Sequence, residues 1–295
     1  MIPRMTRRHL RTPLRLAAAL VCVLAAGHQA AAETAAPRRV VSFNICADQL
    51  VVALADPAQI AGLSPYATDP TLSAVADEAR AFRRIQWHAE STIPLEPDLV
   101  LVGPRDRSVT QRLLTALGFR VVEVDFVSTI AAAREQIRQV AALLGQPARG
   151  EALLARLDAA RRRLAAAPRP TASTALLVGH AGYTEGPTSL AAALMAEAGL
   201  KPPPGAPAGI GGYLALESLV MMRPDLLVQH NILEAPSDQG SVYLTHPALR
   251  ALYPPSRRIE LPGRYTLCGG PALVAGLDHL ADALTRLAAA PPIPR

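Results

Sequence analysis

Short apolar runs alternate with amphipathic segments over the first 125 residues of the chain. The runs at 40–43, 60–63 and 120–124 predict short strands, and 99–102 is an uninterrupted apolar run that ends at Gly103-Pro104. Such a run is typical of a strand buried on both faces. The intervening segments predict helices at 48–55, which Asp56-Pro57 ends, and at 109–117. Strands that alternate with helices indicate an α/β fold with a parallel sheet.

Two consecutive helices are predicted in the middle of the chain. Residues 128–144 place apolar side chains on one helical face, and Gly145-Gln146-Pro147 separates them from 148–167, a long segment rich in Ala, Arg and Leu. The length and central position of the second helix favour a bridge between two lobes, although an ordinary amphipathic helix would show the same pattern. An apolar strand at 175–178 restarts the alternation, which ends with a helix at 271–289.

One short pattern occurs twice. Glu90-Ser91 is followed by Pro97-Asp98-Leu99, and Glu217-Ser218 is followed at the same spacing by Pro224-Asp225-Leu226. In each copy we expect a helix to begin near Glu-Ser and Pro-Asp to turn the chain into an apolar strand. One such pair can arise by chance, but its equivalent placement indicates two related halves.

The first 32 residues predict a cleaved export signal. They contain five arginines and no acidic residue, followed by a short apolar run at 16–26 and by the small residues Ala30 to Ala32. We expect cleavage after Ala32 and ordinary secretion; Arg7-Arg8 leaves the twin-arginine route open, although Arg11 stands where that signal would have an apolar residue. The apolar run is shorter than the roughly 20 residues of a membrane span, so a retained anchor is the less favoured alternative.

Composition excludes several classes of protein. The chain has 295 residues, of which 50% are hydrophobic, and its 27 prolines and 19 glycines follow no fixed period, which excludes disordered and collagen-like chains. The net charge of +6 lies mostly in the export signal, so it gives little support to nucleic-acid binding. We divide the chain into a signal peptide (1–32), an N-terminal α/β lobe (33–127), a helical connector (128–170) and a C-terminal α/β lobe (171–295).

Taken together, these features resemble the periplasmic binding proteins that deliver cobalamin, haem and ferric siderophores to ABC importers. The resemblance covers residues 38–290 and rests on the export signal, the opening segment at 41–50, the twin Glu…Pro-Asp-Leu segments and the long central helix. It implies two Rossmann-like lobes with parallel sheets, joined by one long helix, with the ligand in a cleft between them. It also implies a carrier without an intrinsic cofactor, whose ligand is an iron- or cobalt-containing chelate, and a periplasmic location.

The resemblance further implies partners in the inner membrane. In this family, one acidic residue on each lobe contacts arginines of the permease, which works with an ATPase. Glu90 and Glu217 occupy the matching positions here. Two charge-assisted contacts at a fixed separation can orient the protein on its transporter. The alternative is that each glutamate only stabilises the first turn of a helix.

The candidate ligand-binding residues come from the rule that parallel sheets bind ligands beyond the carboxyl ends of their strands. Trp87 and His88 lie near the lobe rim, and a flat indole suits stacking on a planar chelate, although it could equally pack within the lobe. The arginines could pair with an anionic chelate. The strand-end candidates are Asn44, Cys46, Arg105, Arg107, His180, Tyr183, His230, Asn231, Arg264, Tyr265 and Cys268.

Cys46 and Cys268 are the two cysteines left after cleavage, and we expect one in each lobe. In an oxidising compartment they favour a disulfide across the cleft. A site with two thiolate ligands for a soft metal and two unrelated buried cysteines are the alternatives that remain.

Two other functions compete with the carrier. An exported thiol-dependent enzyme or hydrolase would need a motif such as CxxC or GxSxG, and the sequence has neither. A binding protein for bare zinc, manganese or copper would need several converging histidines and carboxylates, whereas the histidines here are scattered one per loop.

Overall fold

The computed structural model describes residues 35–104, 108–168, 174–230 and 239–289. The chain from Pro37 onward is one unit. Its described strands are β1 (Val40–Ser42), β2 (Ile60–Gly62), β3 (Leu99–Val102), β4 (Val121–Glu123), β5 (Ala175–Val178), β6 (Tyr183–Glu185), β7 (Gly211–Tyr213), β8 (Leu226–Gln229) and β9 (Arg258–Glu260). Its described helices are α1 (Ile45–Leu54), α2 (Ala76–Ala79), α3 (Ser108–Ala116), α4 (Ile130–Leu143), α5 (Pro147–Ala166), α6 (Leu190–Glu197), α7 (Leu216–Met222), α8 (Gln239–Thr245), α9 (Pro247–Leu252) and α10 (Pro271–Ala289).

The N-terminal half contains a four-stranded parallel sheet in the order β2-β1-β3-β4. Its central strand β3 is buried at all four positions, as the uninterrupted apolar run predicts. The C-terminal half contains a three-stranded parallel sheet in the order β5-β8-β9. The predicted α/β fold with parallel sheets is therefore confirmed, while the predicted division at residues 127 and 170 stays a prediction.

One pair of strands departs from the parallel pattern. β6 and β7 pair antiparallel, with Tyr183 opposite Tyr213, so Tyr183 lies in a strand and not in the predicted loop. Glycine makes this pairing possible, because a Cβ on Gly211 would lie 2.2 Å from the carbonyl oxygen of Thr184. Glycine gives no apolar signal, which is why the sequence pattern did not indicate a strand there.

The helix α5 bridges the two halves. It contacts α1 and α4 on the N-terminal side and α6 and α10 on the C-terminal side. Its buried face carries Leu153, Leu154, Leu157 and Leu164, and one continuous apolar core extends from β1 and β3 to β5 and β8 along this helix. The bridge that the sequence predicted is thus present. Among the described helices, none has both the length and the apolar composition needed to cross a membrane.

Ion pairs hold α5 to both halves along its exposed flanks. On the N-terminal side, Arg149 pairs with Asp56 and Asp158 with Arg134. On the C-terminal side, Arg161 forms two hydrogen bonds to Glu197 at 2.9 and 3.0 Å. Arg163 contacts both Asp278 and Asp282 of α10. Each pair alone contributes little at an exposed site, but together they fix the position of the helix against both halves.

The repeated Pro-Asp-Leu segment has the same structural role in both halves. The carboxylate of Asp98 accepts hydrogen bonds from the N–H groups of Arg38 and Arg39 just before β1, at 2.7 and 3.0 Å. The carboxylate of Asp225 accepts from the N–H and hydroxyl of Thr174 just before β5, at 2.9 and 2.8 Å. Each aspartate therefore fixes the start of one parallel strand against the start of its neighbour.

The helix expected at the first copy of the repeat is absent, and that prediction was wrong. Residues 89–95 form two 3₁₀ turns, whereas the second copy forms the helix α7. Pro94 explains the difference, because its ring conflicts with the carbonyl of Glu90 four residues earlier and it has no N–H to donate. Residues 216–222 contain no proline.

The shared core predicts the effect of a change in the middle of α5. Leu157 is fully buried, and Leu157→Ala leaves a cavity between the halves, so we expect the free energy of unfolding to fall by about 2–5 kcal/mol. Urea titration followed by circular dichroism would measure it, with Arg156→Ala on the exposed face as control. A transition that splits into two steps, with only one of them shifted, would contradict the shared core.

Candidate functional site

The loop that follows β1 begins the helix α1. Asn44 is the N-cap of this helix, and its side-chain oxygen accepts hydrogen bonds from the N–H groups of Cys46 (2.8 Å) and Ala47 (3.3 Å). This explains why an asparagine follows the strand, since an N-cap oxygen satisfies amides that the helix leaves unpaired. Its part in ligand binding stays a prediction.

The two cysteines among the described residues form a disulfide. The sulfur atoms of Cys46 and Cys268 lie 2.04 Å apart and the Cα atoms 5.1 Å apart, although 222 residues separate them in sequence. Both residues are buried, with exposures of 5% and 1%. The bridge joins the first turn of α1 in the N-terminal half to the segment before α10. The structure therefore favours the disulfide over a two-thiolate site or two separate cysteines.

An aromatic pair lies at the rim of the N-terminal half. The ring of Trp87 lies 5.0 Å from the ring of Tyr66, centroid to centroid, at an angle of 56°. Trp87 packs on the core beneath β1 and β3, while Tyr66 is 44% exposed and His88 is exposed. The sequence analysis missed Tyr66, which follows the carboxyl end of β2 and could have been found by applying the strand-end rule to that strand too.

A buried carboxyl group lies beneath Tyr66. Asp48 is fully buried and accepts hydrogen bonds from the N–H (3.1 Å) and the hydroxyl (2.5 Å) of Ser64. The oxygen of that hydroxyl accepts in turn from the N–H of Tyr66 at 3.2 Å. Burial raises the pKa of Asp48 to about 7, against the lowering effect of hydrogen bonds from Ser64 and Ser42. A polar residue on an otherwise apolar helix face was the sequence signal for this group.

On the C-terminal half, the loop after β5 carries His180 and leads into Tyr183. His180 is exposed and its ring lies against Gly240, where an added Cβ would be 2.2 Å from the imidazole. The ring of Tyr183 packs edge-on against Tyr213 with centroids 5.3 Å apart. Burial raises the pKa of Tyr183, so its hydroxyl is protonated at neutral pH.

Arg264 and Tyr265 connect the two halves. The guanidinium of Arg264 donates to the carbonyl of Pro70 in the N-terminal half (2.7 Å) and lies 4.9 Å above the ring of Tyr265. Nearby, Nε2 of His230 lies 3.1 Å from the hydroxyl of Thr266, and burial lowers the pKa of His230 to about 4. His230 is therefore neutral at neutral pH, and a neutral imidazole can accept a hydrogen bond or bind a metal.

Several candidates lie outside the described residues. These are Arg105, Arg107, Asn231 and the cleavage site after Ala32. Within the described ranges, no three His, Cys, Asp or Glu side chains converge as a metal site would require.

The two glutamates expected to meet a transporter are both exposed. Glu90 lies in the 3₁₀ turn Ala89–Ser91 and Glu217 in the first turn of α7. Burial raises the pKa of Tyr243 to about 12, and the negative charge of Glu217 adds to this effect. Their exposure leaves both carboxylates accessible to a partner, and their role in docking stays a prediction.

Comparisons with known proteins place this arrangement among related ones. The sequence model of a family described as periplasmic binding protein matches residues 40–214. No curated protein sequence matches the chain.

Solved structures resemble the chain over most of its length. The apo periplasmic heme-binding protein RhuT from Roseiflexus sp. RS-1 is 25% identical, with a TM-score of 0.66 over 85% of this chain and 99% of RhuT. The periplasmic heme-binding protein HutB of Vibrio cholerae is 20% identical, with a TM-score of 0.67 over 84% and 98%. An Fe3+-hydroxamate transport protein from Saccharomonospora viridis is 20% identical, with a TM-score of 0.61 over 84% and 93%.

The raised pKa of Asp48 predicts how stability depends on pH. Because the folded protein holds this proton more tightly than the unfolded chain does, stability falls as the pH rises from about 4 to 7 and then levels off. Asp48→Asn keeps an acceptor for Ser64 and removes this loss, so its stability relative to wild type should grow over that range by on the order of a few kcal/mol.

Urea midpoints measured at several pH values test this, with the exposed Asp77→Asn as a control that leaves the slope unchanged. If the urea midpoints of wild type and Asp48→Asn differ by the same amount at every pH from 4 to 8, the raised pKa of Asp48 is contradicted.

The disulfide predicts a second stability effect. Cys46→Ala combined with Cys268→Ala frees a very long loop in the unfolded chain, and we expect the free energy of unfolding to fall by about 2–5 kcal/mol. Urea titration with and without reductant measures this effect. The protein used begins at Glu33, so that Cys22 is absent. Reductant should destabilise wild type to the same extent and leave the double variant unchanged; free thiols detected in unfolded, unreduced wild type would show that the bond is not formed.

Proposed function

The chain belongs to the periplasmic binding protein family, and from this premise we propose that it captures a metal chelate in the cleft between its halves and delivers it to an ABC importer. The Tyr66–Trp87 pair is the observation from which we infer the chemical class of the ligand. Two aromatic rings at the rim, one of them 44% exposed, suit a large planar ligand that binds by stacking.

Heme is the first chelate to test. Two of the similar solved structures, RhuT and HutB, are described as heme-binding, and a third belongs to Fe3+-hydroxamate transport. The side chains at the strand ends and the rim include phenol and imidazole groups, at Tyr66, His88 and His180, and such groups serve as ligands of haem iron. The iron- or cobalt-containing chelate is the cargo, and the proposal includes no resident cofactor.

Export and docking complete the proposal. Cleavage after Ala32 would release the chain from Glu33 onward into the periplasm. There the exposed Glu90 and Glu217 would each contact a basic side chain of the permease, whose ATPase drives import. Each glutamate lies shortly before an aspartate, Asp98 or Asp225, that fixes the start of a strand. The distance between the two glutamates therefore follows from the fold of the two halves.

The alternatives have less support. A thiol-dependent enzyme would need a free thiolate, and Cys46 and Cys268 are bonded to each other. A carrier of bare zinc, manganese or copper would need converging ligands, which the described residues do not bring together in groups of three. The family consists of binding proteins, and we propose no catalytic residues.

Optical titration tests the proposal. Hemin, cyanocobalamin and ferrichrome are added separately to protein that begins at Glu33, and binding is followed by absorbance and by the fluorescence of Trp87, the single tryptophan. We expect hemin to bind at micromolar or lower concentration. Tyr66→Leu and Trp87→Leu should each weaken binding about tenfold through lost stacking, measured by absorbance.

Glu90→Gln and Glu217→Gln are the matched controls, because they alter the expected docking surface and should leave hemin affinity unchanged. Saturable binding of cobalamin or ferrichrome in place of hemin would keep the carrier and change its cargo. Binding of none of the three, or equal affinity in the Tyr66 and Trp87 variants, would contradict the proposed site.

A further inference from the structure

The two sheets differ at one edge. The strand β1 is equivalent to β5, and β3 is equivalent to β8. The equivalence follows from the matching contacts of Asp98 and Asp225 and from the matching registers, in which Val40 lies opposite Leu99 and Ala175 opposite Leu226. In the N-terminal half, the strand β2 pairs with the far edge of β1. At the equivalent edge of β5 the described residues form no such strand: they form a single bridge between Thr174 and Lys201 and, just beyond the end of β5, a hydrogen bond from the N–H of Gly179 to the carbonyl of Tyr183 in β6.

Three prolines explain why the strand is missing. Lys201 is followed by Pro202, Pro203 and Pro204, which have no N–H to donate to a neighbouring strand. The chain therefore leaves β5 after one bridge. In the N-terminal half the corresponding strand contains no proline, and it continues through Ile60–Gly62.

Backbone groups on the open edge of β5 are left without partners. The N–H groups of Leu226 and His230 donate to the carbonyls of Thr174 and Val178, so those positions face β8. Leu177 lies between them and faces the open edge. On that edge Ala175 donates to Lys201 (2.8 Å) and Gly179 to Tyr183 (2.7 Å), but no described residue pairs with the N–H or C=O of Leu177.

Leu177 as a whole is only 6% exposed. A donor or acceptor that finds no partner in the folded protein loses the hydrogen bond that water gives it in the unfolded chain. A ligand that carries an amide could satisfy both groups at once, as the next strand of a sheet would.

The open edge forms one wall of a recess of about 200 Å³. Its lining is mainly apolar and comes from β5, α6 and the proline segment. Two charged side chains also line it. Lys201 lies beside the start of β5, and Glu185 follows the turn that begins at the end of β5. Neither Lys201 nor Glu185 takes part in an ion pair within the described ranges. Burial raises the pKa of Glu185, and a hydrogen bond from Ser189 opposes part of this rise.

We propose that this recess binds a short extended peptide with free termini, of about three residues, which pairs with Leu177 as a further strand antiparallel to β5. Its central amide pairs with the backbone of Leu177. Its ammonium group lies at Glu185 and its carboxylate at Lys201, and its apolar side chains fill the recess. An extended tripeptide is about 10 Å long, so it fits within the roughly 13 Å of the four-residue strand β5. The site is separate from the cleft and does not depend on the cargo proposed above.

Lys201 provides a specific probe, because it is the only lysine in the chain. Reductive methylation with ¹³C-formaldehyde keeps the positive charge and gives one lysine resonance, plus one from the amino terminus that serves as an internal control. We expect the tripeptide Ala-Leu-Ala to shift the lysine resonance in a saturable way and to leave the terminal resonance unchanged. No shift up to about 10 mM peptide would overturn the proposal.

Altered peptides test each contact. N-acetyl-Ala-Leu-Ala lacks the ammonium group, and a peptide N-methylated at leucine lacks the central N–H, so each should bind about tenfold more weakly. Equal affinity for all three peptides would show that no extended backbone pairing occurs and would overturn the proposal.

Protein variants complete the test. Glu185→Gln should weaken Ala-Leu-Ala binding about tenfold, whereas Glu123→Gln, an exposed carboxyl group of the other half, should not. Ala192→Leu should fill the recess and abolish binding while leaving the unfolding midpoint unchanged or higher. Unaltered peptide affinity in both Glu185→Gln and Ala192→Leu would place the peptide elsewhere.

Discussion

The rest of the structure depends on the shared packing of both halves against α5. Neither sheet has a complete core of its own on that side, because Leu101 of β3 and Leu177 of β5 belong to one apolar cluster that also contains Leu157. The ion pairs reinforce this packing at both ends of the helix, with Asp56 at one end and Asp278 at the other. A 20-residue helix is about 30 Å long and resists bending. The distance between the two strand-end surfaces is therefore set mainly by a rigid rod and only secondarily by loops.

A covalent bond joins the two halves where they meet beside the cleft. The Cys46–Cys268 disulfide joins the start of α1 to the segment before α10, and Arg264 donates across the same junction to Pro70. With α5 on one side and these contacts on the other, the halves have little freedom to separate. For the binding site proposed above, selectivity would then come from the side chains at the rim, such as Tyr66 and Trp87, more than from a large closing movement.

The sequence predicted the elements whose signals are local. The apolar run at β3, the proline and glycine that separate α4 from α5, and the parallel strand order all follow from periodicity and turn residues. The features it missed depend on contacts between distant residues. Tyr66 meets Trp87, Asp48 meets Ser64 and Gly211 meets Thr184 only after folding. Local pattern also failed at Pro94, where one residue converts an expected helix into 3₁₀ turns.

The internal repeat shows why a short motif can persist while its surroundings diverge. Asp98 and Asp225 each fix the start of a parallel strand, and the residues before their prolines, Glu96 and Arg223, both adopt the left-handed conformation. Few residue types satisfy such a turn, so the Pro-Asp-Leu pattern remains visible in both halves. The outer strand β2 lies at the edge of its sheet, where it pairs with β1 and packs Ile60 and Ala61 on the neighbouring apolar clusters. Three prolines after Lys201 were enough to remove its counterpart from the other half, and the edge of β5 has stayed open.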